Sequence, residues 1–173
     1  MMTFRFAKYA VAVGAIGLAA VLPSNAQAAS ATATATATVA TAIGIAKTID
    51  MSFGTIGATA VAGTVVLGTD GSRTCTNVDC LSGSPGAAAS FDVTGQASQT
   101  YSITLPAGAV ALTGPGPNMD ATAFVSLPTP TGTLSAGGTE TLLVGATLAV
   151  GTAAVQTPGV YTSAAFTVTV NYN

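Results

Sequence analysis

The sequence predicts an all-β fold of antiparallel strands. Apolar and polar residues alternate with a period of two along short runs, which marks strands with one packed and one wet face. Turn residues separate those runs at the spacing of a sandwich or barrel. No window carries the apolar spacing of a helix with its caps, and 20 glycines are spread through the 173 residues. The length is that of one domain. The stretch from Ala46 onward suits an immunoglobulin-like antiparallel β-sandwich of about seven strands.

The elements follow in order. Ile43–Phe53 reads as the first strand of the domain if the Ala-Thr run before it is a loose tail. Val61–Gly68 meets a turn at Thr69-Asp70-Gly71-Ser72 and a short run to Cys75, and Asp-Gly between two such runs is a hairpin signal. Ala89–Thr94 and Thr100–Leu105 flank Gly95–Gln99 and predict a second hairpin, with Tyr101, Ile103 and Leu105 on one face. Val110–Thr113 runs into the Gly-Pro loop 114–118, and Ala121–Leu127 is closed by Pro128 and Pro130. Gly132–Leu134 and Thr139–Val150 surround a turn at Ala136-Gly137-Gly138. In the longer run Leu142, Val144, Ala146, Leu148 and Val150 share a face. After Pro158-Gly159 comes a last strand, Val160–Tyr172, with Phe166, Val168, Val170 and Tyr172 on one side.

The first 28 residues read as a signal peptide. Arg5 and Lys8 precede the apolar run Tyr9–Leu22, and Ala26-Gln27-Ala28 supplies a small-residue cleavage site before Ala29. The run is too short to span a bilayer, which takes about 20 residues. Cleavage leaves no membrane anchor, and the expected route is export through the inner membrane, then periplasm, cell surface or medium. In that oxidising setting Cys75 and Cys80 are expected to pair as a clip on a loop, because a metal reading lacks a second ligand pair and any histidine.

Composition excludes several functions. The chain after residue 28 keeps only Lys47 and Arg73 as bases, so nothing neutralises a phosphate backbone and nucleic acid is not an expected partner. With no histidine and with isolated acids beside turn residues, no catalytic or metal-binding set emerges. The chain is expected not to be an enzyme and to need no cofactor.

The remaining puzzle is the alternation that begins at Ala31. Ala31, Ala33, Ala35, Ala37, Val39, Thr41, Ile43 and Ile45 share one parity, with mostly Thr and Ala on the other. Strands in globular proteins run about 3–10 residues, and this pattern is longer. One reading makes the Ala-Thr repeat a loose tail. The other makes residues 29–45 a strand that adds to a sheet edge in another molecule, anchored by Val39, Ile43 and Ile45. A regular strand left unpaired is an aggregation hazard, so it needs a destination.

Both ends of the chain carry a resemblance. Pro158-Gly159-Val160-Tyr161-Thr162 followed by Phe166–Asn173 resembles the close of chaperone–usher pilins, with its penultimate aromatic. Lys47-Thr48-x-x-Met51-Ser52-Phe53-Gly54-Thr55-Ile56 resembles the opening of spore coat protein U-type and archaic pilins. Gly71–Cys75, Phe91–Gly95, Tyr101–Pro106, Gly132–Leu134 and Leu143–Leu148 are similar to the bacterial exported family called domain of unknown function 4402.

The resemblance implies a sandwich, residues 46–173, that lacks its final strand. It also implies an N-terminal donor strand, with Ala33, Ala35, Ala37, Val39, Thr41, Ile43 and Ile45 turned inward. The acceptor groove, lent a strand by a chaperone in transit, would lie along Phe166, Val168, Val170 and Tyr172. The partners implied are other copies of the chain or related pilins, a periplasmic chaperone and an outer-membrane usher. The function implied is a structural subunit of an adhesive surface fimbria, assembled by donor-strand exchange. The alternative is a stand-alone secreted or surface β-sandwich binding module with a disordered tail.

Overall fold

The computed structural model describes residues 28–173. The expected signal peptide lies outside these except for Ala28. Residues 28–37 carry no strand and are exposed, and Thr38–Asn173 form the folded unit. Its strands are β1 (Gly44–Ile49), β2 (Ile56–Ala58), β3 (Gly63–Leu67), β4 (Arg73–Thr76), β5 (Val78–Cys80), β6 (Ala89–Thr94) and β7 (Thr100–Thr104). They continue as β8 (Val110–Thr113), β9 (Met119–Leu127), β10 (Thr131–Thr133), β11 (Thr139–Val150), β12 (Thr162–Ser163) and β13 (Thr169–Tyr172). The described residues contain no helix.

The pairings are antiparallel throughout. The large sheet runs β1-β6-β11-β9-β8-β12, with β3 beside β11 and β4 beside β3. A three-stranded sheet, β10-β7-β13, and a two-stranded sheet, β2-β5, complete the set.

β11 is the spine. Leu142, Val144, Ala146, Leu148 and Val150 are each at most 3% exposed, on the one face that their alternation predicts. One edge of β11 takes two neighbours in turn, β6 along Thr139–Val144 and β3 along Ala146–Val150. Gly145 sits at the change, where a Cβ would run into the Leu67 carbonyl, so its lack of a side chain lets the end of β3 approach. β9 lies along the other edge and carries a bulge at its Ala123-Phe124 step. The bulge reverses the alternation, so Ala121 before it and Phe124 after it both turn toward the core.

Two cores lie against the large sheet. Val93, Leu142 and Val144 of that sheet pack with Tyr101, Val168 and Val170 from the three-stranded sheet and its approach. Val65, Leu67, Ala121 and Leu148 pack with Phe53 and Val78, and Ile56 and Ala58 of β2 join them. The small sheets therefore form a second layer over the large one.

The hairpin at Asp70-Gly71 forms where the sequence predicts it. Gly68 N–H donates to Ser72 O at 2.9 Å, and Gly71 adopts φ +80°. The hairpin expected across Gly95–Gln99 does not form. β6 and β7 stand at the predicted places but join different sheets. Val93 and Tyr101 are both fully buried in one core, so these strands pack face to face and the turn carries the chain between layers. The continuous strand expected over Val160–Tyr172 is also split. β12 pairs with β8 in the large sheet, and β13 pairs with β7 in the second layer. The residues between them cross from one layer to the other.

Candidate assembly cleft

A cleft of about 1310 Å³ opens where the second layer is incomplete. One wall is the segment from Lys47 through β2, and the other runs from Gln156 to Phe166. Between them lie Met119, Ala121, Leu148 and Val150, which belong to the first core, together with the half-buried Leu112 and Phe124. The cleft therefore separates β2 from the segment that leads into β13. Among the described residues, β2 pairs only with β5 and β13 pairs only with β7. Among the described residues, Ala164–Val168 make no backbone–backbone hydrogen bond, and Ala164, Ala165 and Phe166 of this stretch line the cleft. Unpaired backbone beside an apolar floor leaves hydrogen-bonding groups free at this edge of the cleft.

The first wall is firmly held. Ser52 and Ala87 exchange two backbone hydrogen bonds of 2.8 Å. Arg73 donates from Nη1 to Phe53 O at 2.9 Å and Thr55 O at 3.2 Å, and from Nη2 to Leu81 O at 2.8 Å. Its planar fork thus ties the wall to the loop after β5. Cys75 and Cys80 form the expected disulfide, with Cα atoms 6.2 Å apart. Cys80 faces Ile56 across the β2–β5 pair, so the clip supports the strand that borders the cleft.

The second wall is braced by Gln156 Nε2, which donates to Pro117 O at 2.9 Å, and by the Tyr161 hydroxyl, which donates to Thr157 O at 2.8 Å. The Tyr161 ring lies against Gly114, where any Cβ would overlap it. Ala153 N–H donates to Thr59 O at 2.7 Å and links the chain just after the first wall to the chain just before the second. Phe166 reaches the cleft and stacks obliquely on Phe124, with ring centroids 5.4 Å apart. The Lys47–Asp50 pair at the rim is exposed and contributes about 0–1 kcal/mol.

The residues expected in the acceptor groove divide. Phe166 lines the cleft, whereas Val168 and Val170 are buried in the second core. The Tyr172 ring packs on that core while its hydroxyl donates to Thr41 O at 2.8 Å. The residues expected in the donor strand divide too. Ala33, Ala35, Ala37 and Val39 are exposed, with Val39 at 94%, and carry no strand. Thr41 is hydrogen bonded to the domain. Ile43 and Ile45 pack on the second core, and Ile45 lies within β1, opposite Val93. The sequence assigns no cleft role to residues 50–58 and 156–161, although parts of both carry the family resemblance. Met51, Phe53, Ile56 and Tyr161 are the signal there, but their segments are too irregular for a period to show.

Titration adds little chemistry. Burial, then the hydrogen bond and charge of Glu140, push the Tyr101 hydroxyl well above its usual range. Asp70 is held below the usual carboxylate value, first by the Ser72 hydroxyl and then by the Ser72 N–H. Among the described residues no group of three or more His, Cys, Asp or Glu side chains is placed to hold a metal ion.

The fold and cleft define an all-β, antiparallel, two-layered domain with an open apolar slot and one disulfide. Residues 43–172 match the family described as Domain of unknown function (DUF4402), and the chain belongs to that family. No curated protein and no solved structure matches it.

Proposed function

We propose that the chain is a structural subunit of an adhesive bacterial surface fibre, resembling chaperone–usher pilins. In this reading the domain is an immunoglobulin-like sandwich short of one strand. The N-terminal segment of another copy, a pilin-like donor strand, fills the cleft, and successive copies build the fibre. A periplasmic chaperone would occupy the cleft beforehand, and an outer-membrane usher would pass the subunits to the cell surface.

The observation that carries this reading is the cleft itself. First-core residues line it, and Ala164–Phe166 offer unpaired backbone beside it. An added strand gains main-chain hydrogen bonds from such an edge and side-chain burial from the floor. Each Val or Ile it buries contributes roughly 1.5–3 kcal/mol. The exposed segment before Thr41 has the alternation of a strand and no pairing of its own. An incoming strand with small side chains threads such a slot with little steric resistance.

The test compares the chain from Ala29 with one lacking Ala29–Thr41, both run unboiled on an SDS gel. The full chain is expected to give a ladder of heat-sensitive multimers and the truncated chain a folded monomer. A single monomer band from both would replace this reading with a stand-alone binding module.

A further inference from the structure

Thr41 is gripped through both of its backbone polar groups. Its N–H donates to Gln96 Oε1 at 3.3 Å, and its carbonyl accepts from the Tyr172 hydroxyl at 2.8 Å. That hydroxyl also accepts from the Gln96 N–H at 2.6 Å, so three residues close a ring of hydrogen bonds. Gly95 makes room for it, because a Cβ there would overlap the Tyr172 hydroxyl. The grip is local. Val39, two residues earlier, is 94% exposed, and Ile43, two residues later, packs on the second core.

We propose that Thr41, Gln96 and Tyr172 form a clasp that fixes where and in which direction the N-terminal segment leaves the domain, and so sets the stiffness of the joint between successive copies. This rests on the strand-donation reading above. The partner is a second copy of the chain, whose cleft takes the strand ahead of the clasp.

Free backbone dihedrals set the stiffness of such a joint. Each ungripped residue contributes two soft torsions, and a linker's stiffness falls as such residues accumulate. With the clasp closed, the free linker ends at Ala40. With it open, Thr41 and Ala42 join the linker, and the next fixed point is Ile43. Neither hydrogen-bonding side chain touches the cleft walls, so the clasp acts on the joint through Thr41 alone. Tyr172 and Gln96 are positioning residues.

The experiment uses the chain from Ala29 with Tyr172→Phe, Gln96→Ala and the pair combined. Tyr172→Phe keeps the ring on the core and removes only the hydroxyl. Three quantities are read: the heat-sensitive ladder, the urea midpoint, and the bend angles between successive domains in electron micrographs of the fibres. The ladder is expected to persist in every variant with little change in midpoint. The double variant is expected to show a broader spread of bend angles and a shorter persistence length, with each single variant between it and the parent. Gln96→Glu keeps an acceptor for the Thr41 N–H and is expected to keep the parental stiffness. Ladders with unchanged bend angles in the double variant would overturn the clasp and leave strand donation standing. Loss of the ladder in folded variants would also overturn it, by making the contact a requirement for assembly. No ladder from the parent chain would overturn both proposals.

Discussion

The same two segments behave differently at the two ends of the domain. At one end β1 and β13 close on each other, with Ile43, Ile45, Val168 and Val170 in one core and Thr41 tied to Tyr172. At the other end the continuation of β1 and the approach to β13 diverge, and core residues line an open cleft between them. The difference lies in what each inward side chain meets. Val93 and Leu142 meet Tyr101 across the closed end. Leu112 and Phe124 meet walls that stand apart. The core thus closes fully at one end, whereas at the other it borders an open cleft on which Leu112 and Phe124 stay half-buried.

This contrast can be broken most strongly at the closed end. Leu142→Ala removes a fully buried side chain and is expected to cost about 2–5 kcal/mol in urea denaturation. Leu112→Ala, the same change on the cleft floor, is expected to cost about 1 kcal/mol in the monomer, near the centre of ordinary substitutions. If an added strand fills the cleft as proposed, the Leu112→Ala ladder should nonetheless weaken, because that strand would cover this residue. Equal stability losses at the two sites would remove the contrast.

A smaller effect sharpens the description of the open end. Replacing Cys75 and Cys80 with serine is expected to cost about 2 kcal/mol, as for a short cross-linked loop. The loss should appear as faster amide exchange in β2 and β5, which border the cleft, and not in β7 or β13.

The smallest effects are titrations. The Asp70 carboxylate is favoured in the folded state, so its contribution is present above the ordinary value of 3.8 and is lost as pH falls through the depressed folded value. Asp70→Asn should flatten that acid limb of stability against pH. Tyr101 has the opposite sign: its raised folded value favours the protonated hydroxyl. Stability from this group is full below its ordinary value of 10.0 and declines as pH rises beyond it. Tyr101→Phe should flatten the alkaline limb.

Strand positions were legible wherever side-chain alternation alone decides them. β11 shows its five buried residues in its sequence, and Asp70-Gly71 marks its hairpin. Partnership was not legible, because alternation is the same whether a strand pairs with its sequence neighbour or faces it across a core. β6 and β7 therefore read as a hairpin although they lie in different layers. Val160–Tyr172 read as one strand because its parity survives the crossing between layers. Phe124 was hidden by a bulge that no local pattern announces. Of the expected assembly residues, Phe166 lines the cleft, Val168 and Val170 lie in the second core, and Ile43 and Ile45 pack against it. Inward-facing residues at a strand edge look alike in sequence whether their cover is their own chain or another molecule.

The β1–β6 register also has a mechanical meaning. Gly44 through Ile49 pair antiparallel with Thr94 through Ser90, so the ladder lies along the strand direction. A pull on Thr41 directed along β1 loads those hydrogen bonds in shear, and they must yield together rather than one after another. The grip of Gln96 and Tyr172 on Thr41 guards the end where peeling would otherwise begin. A pull along β1 therefore meets the ladder as a whole rather than one hydrogen bond at a time.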